Sequence, residues 1–136
     1  MSKMKAFLQP MTEQTKEVIV SKRFIGDDGK VVPFVVRSIP QSENDALQKK
    51  ATRRFKRSGQ WTEELDRIDY RNRLVIAATV TPDFADAEIC AAYGVIDPLE
   101  VPAKMLLPGE YNKLFNAIAD LNGITDDDEL EQEIKN

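Results

Sequence analysis

The sequence predicts an α+β fold, mainly helical, with about five helices and a β-hairpin near the N-terminus. Three observations carry that reading. A β-branched and aromatic stretch, Val18 to Ile39, is interrupted by Gly26-Asp27-Asp28-Gly29, as two strands around a turn would be. The stretch from Glu63 to Gly94 reads as a long helix, a proline break at Thr81-Pro82-Asp83, and a short second helix. Finally, Tyr111, Leu114, Phe115, Ile118 and Leu121 recur at helical spacing between Pro108 and Gly123.

Taken in order, residues 3–9 form a short helix stopped by Pro10, with Phe7 and Leu8 as its anchor to the body. The hairpin spans about 17–39. Its register is open, and Pro33 predicts that the second strand has at least one free side. Because a lone hairpin is marginal in water, it must lie on helices or gain a strand. Ser42 caps a helix over about 42–57, with Leu47, Ala51 and Phe55 on one stripe and Ser58-Gly59 at its end. Thr62 caps the next helix, about 62–80, which turns from polar to apolar on all sides at Leu74–Val80 and so enters the core.

Asp83 caps a helix over about 84–93, which ends at Gly94 with Val95 set to touch Cys90. Pro102 allows only a turn before a short helix over about 103–107. The last helix runs over about 109–122. Residues 1–124 then make one globular domain, and the acidic stretch 125–136 is expected to be a disordered tail.

Composition narrows the function classes. A chain of 136 residues with a net charge of −4 offers no overall attraction to nucleic acid or anionic membrane. There is no histidine, which removes the commonest general base and metal ligand together. The single cysteine, Cys90, excludes an internal disulfide and reads as a small core residue. The N-terminus lacks the apolar run of a signal peptide, and nothing approaches about 20 consecutive apolar residues. These features predict a soluble protein of the cytosol.

The charged clusters carry little chemistry. Glu63-Glu64 and Asp126-Asp127-Asp128 sit at a helix start and in a tail, not in a cleft that would shift their pKa values. Asp27-Asp28-Gly29 lacks the oxygen spacing and closing glutamate of a calcium loop. Asp69 and Asn72 lie near the apolar stripe of the long helix and call for hydrogen-bond partners there.

One cluster is denser than usual: Lys49, Lys50, Arg53, Arg54, Lys56 and Arg57, flanked by Phe55 and Trp61. On one helix these residues could track a phosphate backbone, with an aromatic stacked on bases. Their spread around the helix favours a solvated face instead. Trp61 reads as a lid on the core, or else as an exposed anchor for a partner. The residues therefore point to a protein that binds proteins, with Phe55, Trp61, Arg53, Arg54 and Arg57 as candidate contacts. No catalytic, cofactor or metal residues are assigned.

Several pieces in order along the chain carry a resemblance. They are Phe7-Leu8-Gln9-Pro10, then Val18-Ile19-Val20-Ser21-Lys22-Arg23-Phe24 with Asp28-Gly29-Lys30, and then Leu74-Val75-Ile76 with Pro82-Asp83-Phe84. Ala92-Tyr93-Gly94, Leu107-Pro108-Gly109-Glu110-Tyr111, Leu121-Asn122-Gly123 and Lys135-Asn136 follow. Together they resemble the XkdN-like family of phage and prophage tail assembly chaperones.

That resemblance implies a non-enzymatic role in the bacterial host cytosol. Such chaperones hold the tape measure protein soluble until tail tube subunits polymerise around it, and they are absent from the mature virion. The tail tube protein is a second partner that the resemblance admits. In many phages a ribosomal frameshift near the gene's end yields a longer product, which here would diverge after Gly123. Two other readings compete: a small nucleic-acid-binding regulator using residues 49–57, and a structural component of the tail.

Overall fold

A computed structural model describes residues 3–124; the expected tail, 125–136, lies outside the described residues. The β-rich stretch pairs as expected, in a register that hydrophobic alternation alone left open. Strand β1 (Thr15–Val18) runs antiparallel to β2 (Phe34–Arg37), with Thr15 opposite Arg37 and Val18 opposite Phe34. Phe34 and Val36 point into the core while Val35 and Arg37 are half-buried, the period-two pattern of a sheet covered on one face.

Between the strands the chain folds back on itself. The Phe24 carbonyl accepts from the Val32 amide (2.8 Å) and the Lys30 carbonyl from the Gly26 amide (2.9 Å). Gly29 closes the turn at φ 77°, a left-handed conformation suited to glycine. A third strand, β5 (Thr79–Thr81), then pairs with the other side of β2. This corrects the reading of Pro33. The second strand is central, and Pro33 sits one residue before it, where its missing amide costs no ladder bond.

Two of the expected helices are shorter, because a second hairpin takes their residues. Helix α1 (Gln41–Ala51) stops well before Arg57. Residues Thr52–Arg57 form strand β3, paired antiparallel with β4 (Gln60–Leu65). Ser58 and Gly59, expected to end a helix, both have positive φ (53° and 79°) and make the two-residue turn. That geometry matches the right-handed twist of a hairpin and outweighs the helical spacing of Leu47, Ala51 and Phe55.

Helix α2 (Arg67–Ala78) accordingly begins at Asp66, whose carboxylate accepts from the Asp69 amide (3.0 Å); Thr62 lies in β4 and caps nothing. The helix ends before Thr79-Val80-Thr81, three β-branched residues that pair better with β2 than they coil.

Helix α3 (Ala87–Ala92) is capped by Asp86, which accepts from the amides of Glu88 and Ile89, not by Asp83. Its end is as expected. Gly94 has φ 67°, the Val95 amide donates to the Cys90 carbonyl (3.0 Å) and the Gly94 amide to that of Ala91 (3.1 Å). A 3₁₀ turn at Pro98–Glu100 leads straight into α4 (Val101–Met105). Pro102 sits in the first turn of that helix, where a missing amide is tolerated, so it starts the helix instead of delaying it.

Helix α5 (Pro108–Leu121) carries the amphipathic stripe and buries Leu114, Ala117 and Ile118. One core joins these pieces: Val36 from the sheet, Leu74 and Val75 from α2, Phe84, Val101, and Leu114 and Ile118 from α5 are all fully buried. Cys90 belongs to it, its Sγ 3.5 Å from the Phe84 carbonyl.

Side chains clasp the layers. Asn122 accepts from the Ile39 amide (2.8 Å) and donates to the Arg37 carbonyl (3.3 Å), fixing the end of α5 to the end of β2. Arg37 donates to the Ala77 carbonyl (2.9 Å) at the end of α2 and to Glu43 of α1. Tyr111 donates to Asn72 (2.6 Å) and Tyr70 to Asn44 (2.5 Å), joining α5 to α2 and α2 to α1. Asp69 pairs with Arg73 (3.0 Å). Burial of the two tyrosine rings pushes both phenol pKa values up.

Candidate protein-binding surface

The strands β3 and β4 stand on the body like an arm. Among their residues none is buried, and every residue of β4 is exposed. A lone two-stranded ribbon has little to hold it in water. Here cross-strand pairs supply local support, with Arg53 opposite Glu64 and Arg54 opposite Glu63. At its base, Arg53 forms a 2.8 Å ion pair with Asp66, the cap of α2, and the Asp66 amide donates to the Ala51 carbonyl (2.9 Å). The ribbon is thereby tied to the helices on either side of it.

All five candidate residues fall on this ribbon, but on two faces. Alternation puts Arg53, Phe55 and Arg57 on one side, and Arg54 and Lys56 with Trp61 on the other. Trp61 is 59% exposed, which overturns its reading as a core lid. Two cations flank its ring, the Arg54 guanidinium at 4.7 Å and the Lys56 ammonium at 5.3 Å from the centroid. On the opposite face Arg57 lies 5.1 Å from the Phe55 ring. That face continues toward a groove of about 380 Å³ lined by Phe55 and Ile68 among charged neighbours; Leu65, opposite Thr52, also lines it but belongs by alternation to the Trp61 side. Ile68, at 75% exposed, extends its apolar wall.

Sequence reading named Phe55 and Trp61 but missed Leu65 and Ile68. Both look like core positions of one long helix until that helix is broken at Asp66.

The arrangement suits contact with a polypeptide. An amphipathic tryptophan held between cations is a rigid anchor with an apolar body and a polar surround. The cations do not form one continuous track. They are split between faces, and two of the four stand directly opposite carboxylates. Among the described residues no group of His, Cys, Asp and Glu side chains is placed to hold a metal ion. None of the described helices is long and apolar enough to cross a membrane.

Away from the ribbon, the first helix does not anchor as expected. Lys3–Phe7 is a 3₁₀ turn with no buried residue, and Phe7 and Leu8 stand 81% and 68% exposed.

Comparison with known proteins agrees with this architecture. The chain is 35% identical to the phage-like element PBSX protein XkdN of Bacillus subtilis (strain 168) over 136 residues, covering 96% of this chain and 91% of that one. It is 36% identical over 132 residues to YqbN of the same organism, covering 94% and 88%. The crystal structure of YqbN superposes with a TM-score of 0.72 at 32% identity, covering 86% of this chain and 91% of that one. Residues 4–135 match the family described as phage XkdN-like tail assembly chaperone protein. The chain therefore belongs to the XkdN-like family of phage tail assembly chaperones.

Proposed function

We propose that this protein acts without catalysis, in the host cytosol, by binding the tape measure protein and keeping it soluble during tail assembly. The observation that carries the reading is the exposed ribbon with Trp61 held between Arg54 and Lys56. A tape measure chain awaiting assembly presents apolar helical faces, which aggregate unless covered. Trp61 on one face, and the groove bearing Phe55 and Ile68 on the other, offer apolar contact rimmed by charge. The surrounding arginines favour an amphipathic partner helix that carries acidic residues beside its apolar stripe. Phosphate tracking fits less well, because Arg53 is engaged by Asp66 and Glu63 and Glu64 stand across from the cations.

The test is co-purification of the tape measure protein with the Phe55→Ser, Trp61→Ser double variant. The proposal expects a folded, soluble variant that no longer retains its partner. Unchanged retention would reject this surface. Recovery of the chain at stoichiometric levels in purified particles would instead mark it as a tail component.

A further inference from the structure

Helix α2 carries a cation whose buried nitrogen is unsatisfied. The Arg71 guanidinium lies 4.1 Å from the centroid of the Phe115 ring and 5.9 Å from that of Tyr111, both on α5. Its Nε is buried and has no hydrogen-bond partner among the described residues. A charged donor left so is costly, and it marks a place for an acceptor. One turn earlier on the same side of α2, Ile68 is 75% exposed and lines the ribbon groove with Phe55. Arg71, Ile68 and Phe55 therefore mark a path from α5 to the ribbon, a cation first and apolar groups after it.

The residues that follow α5 have the complementary order. The Ile124 amide donates to the Ala119 carbonyl (2.9 Å), so the backbone leaves α5 one turn beyond Phe115. Asp126, Asp127 and Asp128 come next, then Leu130 and Ile134, four residues apart among further acids. Residues 125–136 hold six carboxylates against one lysine, which accounts for the whole net charge of −4 and leaves the rest of the chain close to neutral. The path from Ala119 across to Arg71 and on to Ile68 is two helical turns and one helix-to-helix spacing, roughly 20 Å. Twelve extended residues reach about 40 Å.

We propose that residues 125–136 cover this path in the same chain: Asp126–Asp128 give a carboxylate to Arg71, and Leu130 and Ile134 seat against Ile68 and Phe55 in the ribbon groove. The short span selects the same chain over a second copy, because the tether sets an effective concentration in the millimolar range. The segment has the acid-beside-apolar chemistry assigned above to the client helix, so it occupies the groove until a client displaces it. That consequence rests on the proposed function; the contact itself does not.

A nitroxide on Gln132→Cys, in the full chain with Cys90→Ala, tests the contact. The Phe55 and Ile68 amide resonances should be attenuated within the labelled chain, and less so once Arg71→Gln is added. Without any label, the Leu130→Ser, Ile134→Ser double variant should shift the same resonances while circular dichroism stays unchanged. That variant should also bind the tape measure protein several-fold more tightly, since more of the groove is then open to it. Absence of attenuation at both Phe55 and Ile68 would overturn the contact. So would attenuation that appears only when spin-labelled and isotope-labelled chains are mixed, which would make a second copy the occupant. Unchanged client affinity in the double variant would overturn the competition. Failure of every form to bind the client would count against the proposed function alone, with attenuation still deciding the contact.

Discussion

Glu110 accepts from Arg23 through two guanidinium nitrogens (2.8 and 3.2 Å) and from the Leu107 amide at the start of α5 (2.9 Å). Arg23 also donates to the Met105 carbonyl, so one pair ties the β1–β2 connection to the α4–α5 junction. The Arg23 contact, with smaller help from Ser21 and the Leu107 amide, holds the Glu110 carboxyl down at about 2. A carboxyl depressed on folding stabilises the native state above its unfolded value of about 4.3, and that stabilisation is lost as pH falls toward 2. Glu110→Gln should therefore lower the melting temperature at neutral pH. The gap from the wild type should shrink below about pH 4 and vanish near pH 2, as thermal melts across that range would read. A gap independent of pH would refute this origin. Asn122 makes a second residue-scale case. Asn122→Ala strands the buried Ile39 amide and should cost about 1–3 kcal/mol in urea unfolding, with the m-value unchanged.

The two ribbons of the fold were not equally legible as elements. Val18 to Ile39 announced itself, because β-branched runs flank an interior Gly-Asp-Asp-Gly turn. The β3–β4 ribbon did not. Thr52–Arg57 carries four cations and no apolar alternation, and Phe55 falls at helical spacing from Leu47 and Ala51. Only Ser58-Gly59 between Phe55 and Trp61-Thr62 hinted at a hairpin. The ends of α3 and α5 were readable from Gly94 and Gly123, because positive φ after a helix is a local demand. The clasps of Asn122 on β2 and Glu110 on Arg23 span more than 80 residues, and no local pattern encodes them. Because the ribbon stands clear of the core, its stability should be separable. Gly59→Val forces a branched side chain to φ 79°. It should speed amide exchange and proteolysis within 52–65 while leaving the midpoint of global unfolding nearly unchanged. Ser58→Asn, which supplies the preferred first residue of this turn, should slow both. A parallel fall in global stability would show that the ribbon is part of the cooperative core.

For the whole molecule, a body of helices on a three-stranded sheet holds out a small charged ribbon bearing two aromatics, Phe55 and Trp61, on opposite faces. Arg53, Arg54, Phe55 and Arg57 were named on the far end of a helix that stops at Ala51, and Trp61 on the connection after it, yet they converge. The reason is that a two-residue turn brings Arg54 and Trp61 together across strands more closely than a helix would. The family places the molecule in phage tail assembly. The ribbon, on our proposal, is where it meets its client. The most direct measurement is the soluble fraction of the tape measure protein when it is expressed alone, with this chain, or with its Phe55→Ser, Trp61→Ser variant. The account predicts rescue by the wild type and little by the variant. Equal rescue by both, or none by the wild type, would contradict it.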